Sequence, residues 1–194
     1  MEELIHFTNS TPFHGHIHLM SLQFDAFNSK IELIIQVRYD NYDHLWEIKA
    51  ENVIDYKNFN HCSLTPFFRI KEYTNHFLVK YHTEAQITIK LDKIPDKNPI
   101  LLGKIHNFLK KETGLWMNLN NLNKRYITFP KSLFHKFRLF CESENLTYEM
   151  EEISKPIKSN LKLLFFGNDL IAPDNYSFGQ AFILAENFKA KRLN

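Results

Sequence analysis

The chain has 194 residues, with 24 Lys and Arg against 22 Asp and Glu and a formal net charge of +2. That length suffices for a domain with its own core, held without disulfides or metal. The near-even charge argues against a nucleic-acid binder, whose affinity comes from a basic excess that neutralises phosphates.

Hydrophobic residues make up 44% of the chain and 18 residues are Phe, enough for a large core with aromatics left over for an interface. Cys62 and Cys141 lie far apart and form no Cys-x-x-Cys pair, so two reduced, buried thiols are expected. The start Met1-Glu2-Glu3 is acidic and leads into no apolar stretch, so no secretory signal is expected. No apolar run approaches the roughly 20 residues that span a bilayer. A cytoplasmic location is the expectation.

The first ten residues read as an irregular lead-in. His16 to Asp25 reads as a strand, followed by turn chemistry at Asn28 and Ser29. Lys30 to Tyr39 reads as a second strand, with Ile31, Leu33, Ile35, Val37 and Tyr39 on one face. After a turn at residues 40–43, His44 to Ala50 is a third strand that continues loosely through Tyr56. Short polar connections of this kind predict an antiparallel meander. Residues 58–65 read as a loop. Strands are expected at Phe67 to Lys71 and Ala85 to Leu91, while Asn75 to His82 fits either a strand or a short helix.

The pattern then changes. Asn98 is a candidate N-cap with Pro99 at the first helical position, and Leu101, Leu102, Ile105, Phe108 and Leu109 share one helical face up to Gly114. A second helix is expected from Pro130, with Leu133, Phe134, Phe137, Phe140 and Cys141 as its apolar stripe and Asn145 as its cap. Between them, Trp116 is expected as a core anchor. Strands return at Thr147 to Ile153, Leu161 to Phe166 and Gln180 to Phe188. The tail residues Lys189, Lys191 and Arg192 read as solvated. The whole predicts one α+β domain over residues 1–194: β-rich over 13–93, helical over 98–145, with closing strands over 147–190. Two helices would pack on one face of an antiparallel meander sheet or partial barrel.

No catalytic motif stands out, and no cofactor is expected. The five glycines form neither a dinucleotide fingerprint nor a Walker loop, and no Gly-x-Ser-x-Gly elbow occurs. His61 and Cys62 are adjacent, which on a strand points them to opposite faces. The sharpest local feature is Phe13-His14-Gly15-His16-Ile17-His18. On a strand His14, His16 and His18 project to one side, so they are the candidate metal ligands, with Asp25, Asp43, His44, His61, His76 and His82 as possible completing groups. Glu142/Glu144 and Glu149/Glu151/Glu152 form carboxylate clusters that would suit a basic partner. Among the aromatics, Tyr42 in a turn and Phe59 in a loop are the candidates for exposed anchors.

Five segments carry a resemblance. Phe13 to Asp25 resembles the first strand of a group of small bacterial proteins in which Phe-His-Asp opens a meander; here Gly15 stands where Asp is usual. Trp46-Glu47-Ile48-Lys49-Ala50-Glu51-Asn52-Val53 resembles the turn after their second strand. Leu163 to Asp169 with Phe182-Ile183-Leu184-Ala185-Glu186-Asn187-Phe188 resembles their closing strand, split here by an insertion around residues 173–179, and Gly114-Leu115-Trp116 resembles their Gly-x-Trp. Several such proteins look like immunity proteins encoded beside polymorphic or contact-delivered toxins. The resemblance implies a non-enzymatic, protein-binding role with a cognate toxin as partner; the charge balance and the lack of a spanning apolar run lead us to expect no nucleic-acid or membrane partner. It assigns no functional residue. The alternatives are a metal-dependent enzyme built on His14, His16 and His18, or a half-barrel that binds a small molecule.

Overall fold

The chain is described by a computed structural model over residues 1–10, 15–39, 42–59, 69–93, 98–114, 116–117, 125–153, 160–167 and 181–194. The described elements are, in order, α1 (Glu2–Asn9), β1 (His16–Asp25), β2 (Lys30–Tyr39), β3 (Tyr42–Lys57), β4 (Arg69–Tyr73), α2 (Phe77–Thr83), β5 (Gln86–Leu91), α3 (Pro99–Thr113), β6 (Tyr126–Pro130), α4 (Phe134–Ser143), β7 (Tyr148–Ile153), β8 (Lys162–Gly167) and β9 (Ala181–Arg192). The fold is α+β, as the sequence predicts. Its two sheets are antiparallel, and neither closes into a barrel.

The elements fall into two compact units. The first holds α1, β1 to β4, β8 and β9. Its six-stranded sheet runs β1-β2-β3-β9-β8-β4, so the N-terminal meander is extended by the last strand of the chain. Strand β2 shows why: its burial alternates, with Ile31, Leu33, Ile35 and Val37 fully buried and Glu32 and Arg38 in solvent. On the inner face these residues cluster with Ile17, Ile48, Ile70, Leu164, Phe166 and Ile183. The outer face is polar. Lys49 lies 3.3 Å from both Glu32 and Glu47, and Lys189 lies 3.5 Å from Glu51. The register of β3 against β9 shifts between Val53 and Asp55; just before it Asn52 adopts φ 57°, and Ser29 C=O accepts the Val53 N–H at 2.9 Å.

The opening segment is a helix, not an irregular lead-in. Leu4 and Thr8, one turn apart, are fully buried, and the Thr8 hydroxyl donates to Leu4 C=O at 3.0 Å. Asn9 Nδ2 donates to Ile70 C=O of β4 at 2.7 Å. That bond comes from a residue sixty-one positions away, so no local pattern announces it. At the other end, β9 runs on to Arg192, so the residues read as a solvated tail pair in register with Trp46, Glu47 and Lys49.

The second unit holds α2 to α4 and the sheet β6-β5-β7. Its core joins Ile87, Ile89 and Leu91 of β5 and Ile127 and Phe129 of β6 to Leu101, Ile105 and Leu109 of α3 and Phe137 and Cys141 of α4. Asn98 caps α3 as expected, its side chain accepting the Leu101 N–H at 3.1 Å, and Gly114 ends the helix in the left-handed conformation (φ 59°). The ambiguous stretch after residue 75 is the helix α2, braced by a Phe77–Tyr81 ring contact at 6.0 Å, one turn apart. Pro130 does not start a helix. It closes β6, a strand absent from the sequence reading, and a 3-10 turn at Lys131–Leu133 leads into α4. Proline is tolerated there because β6 is an edge strand. Asn145 adopts φ 50° just past α4. Trp116 is only half-buried, and Met117 beside it takes the core position.

Candidate functional site

Two features of the first unit stand out. One is the β1–β2 hairpin. Asp25 Oδ1 accepts the N–H groups of Phe27 and Asn28 at 3.0 and 3.1 Å, and Oδ2 accepts from Asn28 Nδ2 at 2.7 Å. These bonds, the Asn28 side chain first, hold the Asp25 carboxyl below the usual carboxylate range. The turn they fix presents Phe27, whose side chain is 95% exposed. Three residues earlier, Phe24 is 43% exposed and packs on Tyr56 of β3 with ring centroids 5.1 Å apart. Sequence reading did not single out Phe27 or Phe24: Phe24 lies in a strand, where an aromatic reads as core, and the turn at residues 26–29 was read for its Asn28 and Ser29 alone.

The other feature is a pocket of about 270 Å³. Glu3, His6, Phe7 and Ser10 border it from α1 and its cap, His44 and Trp46 from β3, and Arg192 from β9. The strand pairing brings the last three together. Trp46 and Arg192 are direct partners across β3 and β9, and His44 lies two residues from Trp46 on the same face. An Arg192 terminal nitrogen lies 2.6 Å from His44 Nδ1. A guanidinium only donates, so Nδ1 is the acceptor in this contact. The Phe7 ring meets His44 edge-on at 5.7 Å. Trp46 is 3% exposed, and its buried Nε1–H finds no acceptor among the described residues.

The sequence-derived candidates are dispersed. His16 and His18 do share one side of β1, with ring centroids 6.3 Å apart; His14 lies outside the described residues. Among the described residues no three His, Cys, Asp or Glu side chains gather as a metal-holding group. Asp25 is engaged in its turn, and Asp43 forms a two-bond pair with Arg38 at 2.8 and 3.2 Å, which lowers its carboxyl pKa. His44 belongs to the pocket. His76 and His82 are half-buried, and His61 and Cys62 lie outside the described residues. Cys141 is buried in the second core, and burial pushes its thiol pKa up to about 12.

The carboxylate clusters are interleaved with cations. Glu144 pairs with Lys104 at 2.5 Å, Glu149 with Lys90 at 2.6 Å, Glu152 with Lys131 at 2.8 Å and Glu142 with Arg138 at 3.5 Å. They therefore do not make the uniformly acidic surface that a basic partner would seek. Of the two anchor candidates, Tyr42 is 69% exposed, whereas Phe59 is 6% exposed and packs edge-on against Phe166 at 5.3 Å. The phosphoesterases that work through paired His-x-Ser/Thr units require both side chains of a unit at the reaction centre. The chain carries His6-Phe7-Thr8 and His61-Cys62-Ser63. The first lies on a helix, where it turns His6 outward and buries Thr8 against its own backbone. The second lies outside the described residues.

No helix among the described residues is long and apolar enough to cross a membrane. Compared with protein-family models, curated proteins and solved structures, the chain matches none.

Proposed function

We propose that the chain is a cytoplasmic protein-binding domain of the immunity type, which seats the β1–β2 hairpin of its first unit on a cognate bacterial toxin and blocks it. The observation that carries this reading is Phe27. Its ring stands almost wholly in water, although burying such a side chain is worth about 1.5–3 kcal/mol. It also sits on a turn already fixed by three bonds to Asp25. A turn set in advance loses little backbone freedom on docking, which is how a loop that presents an anchor gains affinity. The Phe24–Tyr56 pair at the same end of β1 adds apolar area. The segmental resemblance to immunity proteins supplies the class of partner.

The test is co-expression with the neighbouring gene product, followed by calorimetry. A nanomolar one-to-one complex is expected, weakened by about ten- to a hundredfold in Phe27→Ala. The thermal midpoint of that variant is expected to match the parent, because an exposed side chain contributes little to folding. No complex, or a complex indifferent to Phe27, would sink the proposal.

A further inference from the structure

We propose that β1 pairs antiparallel with β1 of a second copy of this chain, so that the six-stranded sheet of the first unit runs on across a two-fold axis.

The described sheets end in β1, β4, β6 and β7. Edge strands are normally kept from pairing by charge, proline or shortness. Strand β4 spans five residues and carries Arg69, Lys71 and Glu72, and β6 spans five and ends on Pro130. Strand β7 carries Glu149, Glu151 and Glu152. Pairing β7 with its own copy sets Glu149 against Glu152 or, in the neighbouring registers, Glu149 against Glu151 or Glu151 against itself, and like charges directly opposite are destabilising. Strand β1 is the exception. Its ten residues include no Lys, Arg, Glu or Pro, and its one carboxylate, Asp25, stands at the very end. Among the described residues no strand adjoins its outer side.

The bulge in β1 fixes the register and the partner. Ile17 and Leu19 lie opposite Val37 and Ile35, while Leu22 and Phe24 lie opposite Leu33 and Ile31, so all four face the core. The alternation shifts at Met20, which has no partner in β2. Without that extra residue, end-to-end pairing of this strand with its own copy would set core-facing residues against outward-facing ones. With it, an axis between Met20 and Ser21 lets the whole strand overlap with every flanking face matched. Ile17 then meets Phe24, Leu19 meets Leu22, His18 meets Gln23, and Asp25 meets His16 instead of a second carboxylate. Phe24, 43% exposed, gains cover, and the two Met20 side chains, each 57% exposed, meet beside the axis, where a flexible thioether fills irregular space. A bulge ordinarily turns an edge away from other strands. Here the two bulges coincide, which favours the chain's own copy over a regular strand. The pairing ends at Asp25 and makes no use of Phe27, so it stands apart from the toxin reading.

Sedimentation velocity of the isolated chain over about 1–300 μM tests this, a range suited to a modest interface. A dimer is expected toward the upper end. Met20→Lys, at an exposed position, is expected to stay monomeric at about 300 μM with an unchanged thermal midpoint, because two cations then face each other across the axis. Met20→Glu alone is expected to do the same. An equimolar mixture of the two variants is expected to dimerise, which a defect in folding could not produce. A parent that is monomeric throughout, a dimer that survives Met20→Lys, or a mixture that stays monomeric overturns the inference.

Discussion

Phe137 is the residue on which the second core depends most visibly. It is fully buried, and its ring centroid lies 5.0 Å from Phe129, 5.6 Å from Phe108 and 5.8 Å from Phe140. Truncation to Ala therefore removes the centre of a four-ring cluster bridging α3, α4 and β6. Such a change costs about 3–5 kcal/mol, through lost transfer energy and the cavity left behind. A domain that stands about 5–15 kcal/mol above its unfolded state cannot absorb this unnoticed. The assay is urea unfolding followed by tryptophan fluorescence. Trp116 lies in the second unit and Trp46 in the first, so Trp46→Phe and Trp116→Phe backgrounds report each unit separately. Phe137→Ala is expected to lower the midpoint seen by Trp116 by an amount worth about 3–5 kcal/mol, and Phe137→Leu by less than about 1.5. A loss below about 1 kcal/mol in Phe137→Ala would refute the packing account.

Other tests reach different parts of the chain. Asn9→Ala removes the bond from α1 to Ile70 C=O and is expected to cost about 1–2 kcal/mol in chemical denaturation. Asp25→Ala is expected to raise amide exchange at Phe27 and Asn28 with little change in global stability. Because the folded carboxyl of Asp25 titrates below its ordinary 3.8, its contribution is present above that pH and lost as pH falls through the folded value. A pH series of the same two amides reads this out. The Cys141 thiol, ordinarily 9.0, is held at about 12 in the fold, so it is expected to resist alkylation at pH 8 until denaturant is added. Above pH 9 the unfolded thiol ionises while the folded one does not. Its contribution to stability is thus intact below 9.0 and lost progressively toward 12.

What could be read from the sequence was whatever is encoded locally. Strand β2 alternates cleanly, and α3 carries its own cap and stop at Asn98 and Gly114, so both were legible. Elements stabilised from afar were not. Helix α1 spans only eight residues, too few for a periodic signal, and is anchored by β4. The Lys-Ala-Lys-Arg ending looks like a polar tail until β3 is set beside it. The pocket shared this fate. His44 and Trp46 were visible as residue types, but their partners lay in the segment read as irregular and in the tail read as solvated. Phe59 shows the reverse error: a ring in a loop looks exposed until Phe166 arrives from more than a hundred positions away.

The six-stranded sheet also sets a timetable for synthesis. Strand β4 is hydrogen-bonded to β8, yet Tyr73 and its partner Leu163 stand ninety positions apart, and every described residue of the second unit is made in between. Strand β3 waits longer still, since it meets β9 only when Ala181 to Arg192 emerge. Until then the nascent meander has an open edge beside Ile48 and Ala50, the kind of unpaired strand that recruits other chains. Early folding of the second unit shortens the loop that must close and so the interval of exposure. A fault such as the loss of Phe137 would then be felt during synthesis, as aggregation through the open edge of the first unit's sheet.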